Sequence, residues 1–154
     1  MVDQLDVHLL TLLQQDGRSS ISELSKKMAL SRPSVAERLK RLQEKGIIEG
    51  FYARVPPAAV GRKLLVMIEL SEIRAPLNEI ERFLADEPDV IECHRATGHV
   101  HYYIKAALNG MDELTGLIER LVPYGNTRTS ILLSTPIERR VILPSETDGA
   151  SHSE

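Results

Sequence analysis

The sequence predicts an α+β protein in two parts: a three-helix N-terminal unit, then a four-stranded, ferredoxin-like unit of order β-α-β-β-α-β. Three observations carry this. Apolar residues recur at helical spacing three times within the first 46 positions, where each helix has one greasy face. Beyond the Pro56-Pro57 pair, short apolar runs alternate with two further helical patterns. The order of those runs is that of a split β-α-β fold with both helices on one sheet face.

Leu5, Leu9 and Leu12 mark a first helix over about Gln4 to Gln15, stopped at Asp16-Gly17-Arg18. Ser20 and Glu23 then match a capping box, in which each side chain satisfies a free amide of the other's backbone. Ile21, Leu24 and Met28 share one face of the short helix that follows. Ala29, Leu30 and Ser31 leave only a tight turn, without the glycine often found there, before a longer helix from Ser31 to Gly46. Ser31 suits an N-cap, Pro33 tolerates only a first-turn position, and Gly46 suits a helix end. Val35, Leu39 and Leu42 form its buried stripe, while Ser34, Arg38, Arg41 and Lys45 follow the same rhythm on a neighbouring face. Two helices so joined, the second one basic, have the helix-turn-helix arrangement.

Ile47 to Val55 is strand-prone without an obvious partner nearby, which suggests pairing with another chain; Pro56 to Gly61 reads as a linker. Lys63 to Leu70 is a strand apolar on both sides. Leu77, Ile80, Phe83 and Leu84 mark a helix opened by Pro76. Val90 to Thr97 and Val100 to Leu108 form a hairpin about Gly98. Met111 to Leu121 is a helix stopped by Pro123, and Asn126 to Thr135 a last strand closed by Pro136. The expected divisions are therefore 1–50, 51–61 for strand and linker, 62–136, and 137–154, with a disordered tail from about Pro144. The sheet face without helices requires cover, and a partner subunit is expected there.

Charge is unevenly spread although the net value is −3. Between Arg18 and Gly50 there are 8 Lys/Arg against 4 Asp/Glu; from Phe51 onward there are 11 against 15. A basic head on an acidic body suits local attraction to phosphate. One cysteine, Cys93, gives no intrachain disulfide framework and fits a reducing compartment. No apolar run approaches a membrane span, and the acidic start MVDQLD is unlike a signal peptide, so a cytoplasmic protein is expected. No nucleophile elbow, P-loop, H-E-x-x-H or glycine fingerprint is present, so an enzyme is not expected.

In the hairpin, alternation places Val100, Tyr102, Ile104 and Ala106 on one face and His99, His101, Tyr103 and Lys105 on the other. A turn centred on Thr97-Gly98 sets His94 opposite His101 and Glu92 opposite Tyr103. Such a histidine pair fits an anionic ligand, a metal, or interface hydrogen bonding. As a metal signature it is weak, since Cys93 points the other way and a further ligand is lacking; no cofactor is expected.

In the first part stand Leu13-Gln14-Gln15-Asp16-Gly17-Arg18, Glu23-Leu24, Leu30-Ser31, Val35, Arg38, Leu39, Leu42 and Gly46-Ile47-Ile48, and in the second Glu92-Cys93, Thr97-Gly98 and Asn126-Thr127-Arg128-Thr129. These residues give the chain its resemblance to the leucine-responsive/asparagine-responsive (Lrp/AsnC) family of bacterial and archaeal transcription regulators. The resemblance implies a dimer or larger assembly, often an octamer built as a tetramer of dimers. It further implies DNA binding by the first domain and amino-acid sensing by the second at a subunit interface, around Gly98, His99, Val100, His101, Thr129 and Ser130. His101 stands where the family usually carries an acidic residue, so the ligand differs or none is sensed. On the DNA side, Arg32 and Ser34 are expected at base edges, Arg38 and Arg41 at phosphates or nearby bases, and Ser20, Lys26, Lys27 and Lys45 at phosphates. The function expected is a regulator that binds palindromic double-stranded DNA sites in the nucleoid. The alternative is an architectural protein that wraps DNA without a small-molecule effector.

Overall fold

A computed structural model describes residues 2–145 and divides them between two compact units. The first runs to Ala53 and takes back the chain from Ile137; the second is Arg54–Pro136.

The first unit contains α1 (Gln4–Gln15), α2 (Ile21–Met28) and α3 (Arg32–Glu44). Asp3 caps α1 and exchanges hydrogen bonds with Asp6: the Asp6 N–H donates to Asp3 Oδ1 at 2.8 Å and the Asp3 N–H to Asp6 Oδ2 at 3.2 Å. Ser20 and Glu23 form the expected box on α2. The turn without glycine is made by Ala29, which takes the left-handed conformation at φ 53°, while the Leu30 N–H donates to the Ser25 carbonyl at 3.1 Å. Ser31 caps α3 by accepting from the Ser34 N–H, and Gly46, at φ 67°, lets the chain turn away after the helix. The core is Leu9, Leu13, Leu24, Met28, Val35 and Leu42.

The expected strand at 47–55 does not form within this chain. Phe51, Tyr52 and Val55 are exposed there, and a strand exists only where a ladder partner does. The linker contains a single 3₁₀ turn, Pro57–Val60. The residues returning at Ile137 meet α1: Gln14 Nε2 donates to the Ile142 carbonyl at 2.9 Å, and the Ile142 N–H donates to Gln14 Oε1 at 3.0 Å. The tail expected from Pro144 lies, from residue 146 onward, outside the described residues.

The second unit contains β1 (Leu64–Ser71), α4 (Leu77–Asp86), β2 (Val90–Arg95), β3 (Val100–Leu108), α5 (Met111–Leu121) and β4 (Asn126–Ile131). The sheet order is β2-β3-β1-β4, with every pair antiparallel, as in the ferredoxin-like arrangement. Val66, Ile68, Leu70, Tyr102, Ile104 and Ala106 point to one face and pack with Ile80, Leu84, Leu114, Leu117 and Leu121 of the two helices. The alternate positions of β1, among them Leu65, Met67 and Glu69, remain only half-buried on the other face. β4 stops four residues short of Thr135 because its ladder with β1 runs out. Ile131 pairs Val66, and one further bond, from the Leu132 N–H to the Leu65 carbonyl, is the last.

Candidate nucleic-acid interface and sensor face

The turn at Ala29 brings the last turn of α2, with exposed Lys26 and Lys27, next to the start of α3, where Arg32 is exposed. Ser34 is half-buried, and its N–H is taken by the Ser31 cap. Lys45 lies exposed at the other end of α3. Ser20 is exposed, but its hydroxyl is already engaged with Glu23, donating to Oε2 at 2.7 Å. At about 100° per residue from the Val35–Leu42 stripe, the residues pointing straight away from the core are Pro33, Glu37, Lys40 and Glu44. Lys40 is therefore a basic residue of the outer face that the sequence reading passed over. Its side chain is 75% exposed, with a loose 3.6 Å contact to Glu44.

Arg38 and Arg41 are placed differently from the expectation of two free cations on the open side. Arg38 Nη1 lies 2.6 Å from Asp3 Oδ2 and 2.7 Å from Asp6 Oδ1, and Arg41 Nη2 lies 2.8 Å from Asp6 Oδ1. The physical reason is the position of α1, whose acidic N-terminus meets the flank of α3 rather than solvent. Asp3 is correspondingly held below its ordinary pKa, first by the hydrogen bond from Arg38 and then by the Asp6 amide. The spacing of Asp3 and Asp6 signals a helix start; it does not say which helix lies across from it.

In the second unit the hairpin register departs from expectation by two residues. His94 pairs Tyr103, not His101, and Glu92 pairs Lys105, not Tyr103, with Lys105 Nζ donating to Glu92 Oε1 at 3.0 Å. The loop is longer than a tight Thr97-Gly98 turn: the Ala96 N–H donates to the His101 carbonyl at 2.8 Å, and Gly98 takes φ 105° within the loop. The histidines are thus not a facing pair. His94 Nε2 instead lies 3.8 Å from Glu92 Oε2. Among the described residues no group of three or more His, Cys, Asp or Glu could hold a metal ion. Burial pushes the Cys93 thiol up, which disfavours its nucleophilic form.

A shallow pocket of about 240 Å³ opens on this sheet, lined by Glu69, Ser71, His99, Val100, Asn126, Thr127 and Arg128. Of the expected effector residues, His99 and Val100 line it, and Gly98 and His101 adjoin them in the chain. Thr129 and Ser130 do not line it, and they cannot share a face. Thr129 pairs Ile68 on the helix side of the sheet, and Ser130 pairs Met67 on the open side. Asn126 and Arg128, also on the open side, supply the pocket's β4 wall together with Thr127. A second depression of about 290 Å³ contains Arg62 and Asp89. There the Arg62 guanidinium already donates to Asp89 Oδ1 and to the Ala107 carbonyl, so the strongest charges are matched internally.

Comparison with known proteins agrees with this division of labour. Residues 2–49 match a winged helix-turn-helix DNA-binding family, and residues 63–142 match the Lrp/AsnC ligand binding domain. The leucine-responsive regulatory protein of Haemophilus influenzae is 32% identical over 86% of this chain and 84% of its own length. The structure of LrpC from Bacillus subtilis superposes with a TM-score of 0.86 at 27% identity, covering 90% of this chain and 99% of that one. The transcriptional regulator NMB0573 of Neisseria meningitidis, solved as its L-Met complex, gives 0.84 at 27% identity over 92% and 96%. A purely DNA-wrapping role is not favoured by matches that include a ligand-binding domain. Among the described residues no helix is long and apolar enough to cross a membrane. The chain belongs to the Lrp/AsnC family and is a DNA-binding transcription regulator.

Proposed function

We propose that α3 enters the major groove amino-end first and that the protein binds roughly palindromic operators as a dimer or a larger ring-like assembly. The observation that carries this reading is the Ser31-capped start of α3, which holds Arg32 exposed beside the lysines at the end of α2. The leading end of a recognition helix reaches base edges, and Arg32 suits guanine, whose two acceptors match its fork. Ser34 reads either base type nearby. Lys26, Lys27, Lys40 and Lys45, with the Ser20 turn, fix the register through phosphates. Two-fold symmetry of the protein would set half-sites a whole number of helical turns apart. Selection from random duplexes, run with sizing of the complex, tests binding, half-site symmetry and assembly at once. An asymmetric single half-site bound by a monomer would refute the reading.

The second unit supplies assembly and sensing. Its open sheet face, with half-buried Leu65 and Met67, takes a second copy, and the strand-prone segment 47–55 supplies a strand to that contact. The octamer is one closed form of such dimers. The pocket between β3 and β4 sets Glu69 and Arg128 as cross-strand neighbours. A carboxylate and a guanidinium at that spacing suit the two charges of an α-amino acid, the class represented by L-Met in the Neisseria relative. Equilibrium dialysis against the twenty amino acids tests the sensor, and no binding at millimolar ligand would remove it. The protein then works on cytoplasmic DNA of the nucleoid, without a cofactor and without catalysis.

A further inference from the structure

Asp6 is the buried carboxylate of the helical unit, at 1% exposure. Its two oxygens receive four donated contacts. Oδ1 takes Arg38 Nη1 at 2.7 Å and Arg41 Nη2 at 2.8 Å; Oδ2 takes Arg41 Nη2 at 2.9 Å and the Asp3 N–H at 3.2 Å. An ionised carboxylate offers about four lone-pair sites, so this one is saturated. Arg38 is tied a second time, to Asp3 Oδ2 at 2.6 Å. Being three residues apart, Arg38 and Arg41 stand on successive turns of one side of α3. One point on α1 thereby holds two points on α3.

Two points fix what one cannot. The apolar stripe of α3 is narrow (Val35, Leu39, Leu42) and packs on other aliphatic side chains. Such a contact is non-directional and tolerates a helix that rolls or slides a little. Hydrogen bonds from two planar guanidiniums are directional and tolerate neither. Buried ion pairs add little net stability relative to apolar packing, and their best use is to select one arrangement among near-equals. The arrangement selected here is the rotation of α3 about its axis, which sets whether Arg32 and Lys40 face a groove.

We propose that Asp6 is a positioning residue for DNA reading. It clamps Arg38 and Arg41 so that α3 is held at one rotation, and these two arginines serve the clamp and not the phosphates. A phosphate that captured either arginine would leave a saturated, buried anion short of its donors. The proposal rests on α3 being the helix that reads the groove.

Its test uses the full-length protein, a duplex obtained by selection, and a scrambled duplex of equal length, titrated from about 50 to 200 mM salt. Arg38→Gln is expected to lower the ratio of selected to scrambled affinity about tenfold, while the salt slope on the scrambled duplex stays unchanged. Asp6→Asn is expected to lower the ratio similarly and to steepen that slope by about one unit, because Arg41 becomes free for phosphates while Arg38 stays tied to Asp3. A slope for Arg38→Gln that flattens by about one unit identifies a phosphate contact and overturns the proposal, whatever the ratio does. An unchanged ratio overturns it as well. If Asp6→Asn loses its helical circular dichroism, Arg38→Gln decides alone. Arg32→Ala keeps the two ideas separable: unchanged base preference in that variant refutes the groove assignment of α3 itself, independently of the clamp.

Discussion

Leu42→Ala should melt the DNA-binding unit and spare the sheet. Leu42 is 1% exposed and is one of six side chains that make up the core of the helical unit. Removing a buried leucine side chain costs about 2–5 kcal/mol in transfer and cavity terms. A unit of about fifty residues, at about 0.05–0.15 kcal/mol per residue, has only about 3–8 kcal/mol in hand. The variant therefore retains between nothing and about three quarters of its stability, and its helices should melt about 10–40 °C below wild type. The second unit has its own core of twelve buried residues, to which no residue of α1, α2 or α3 contributes. Calorimetry of the full-length protein should show one transition moved and one in place. Sheet amides should stay protected from exchange under conditions where helix amides exchange freely. DNA affinity should fall with the helical transition. Leu117→Ala, in the other core and 0% exposed, should give the mirror result. A single transition lowered equally by both substitutions would refute the claim that the units are stabilised separately.

Other consequences concern the interface and its acid dependence. Arg32→Ala should cost about 1–3 kcal/mol of operator affinity and relax preference at one base pair, read by binding to a panel of single-base variants. Lys45→Ala should weaken all duplexes alike and flatten the salt slope by about one unit, with base preference unchanged. Asp3 is held below its ordinary pKa of 3.8 by Arg38, so the folded state holds that proton less tightly than the unfolded chain. The stabilisation is then complete above the ordinary value and is lost as pH falls through the lowered one. The urea midpoint of the helical unit should drop in that acid range, and less steeply in Asp3→Asn, which retains a capping oxygen but no charge.

Much of the molecule was legible because its elements carry their own signals. The Ser20–Glu23 box, the Ser31 cap and the buried Val35 and Leu42 are local matters of spacing, and all appear as read. Val100–Leu108 and Met111–Leu121 begin and end where the pattern placed them, since glycine, proline and the change from period 2 to period 3.6 occur within the segment itself. The missing glycine between α2 and α3 proved immaterial. Ala29 adopts the left-handed conformation at a modest steric cost, which the capping bonds of α2 and α3 offset.

What escaped was, in each case, a relation between segments. Period 2 correctly assigns His101 and Tyr103 to one face of β3, but the facing residues on β2 depend on loop length, and two extra loop residues moved every partner by two. The arginines of α3 make the same point for charge. Their spacing marks a basic flank, and from the segment alone that flank faces solvent. Asp6, more than thirty residues earlier, reads alone as an ordinary acidic residue in a first helical turn. Only the crossing of α1 over α3 turns the one into the other's partner. A basic stripe on a helix therefore states how many cations are available, and the neighbouring helix decides how many of them remain for a polyanion.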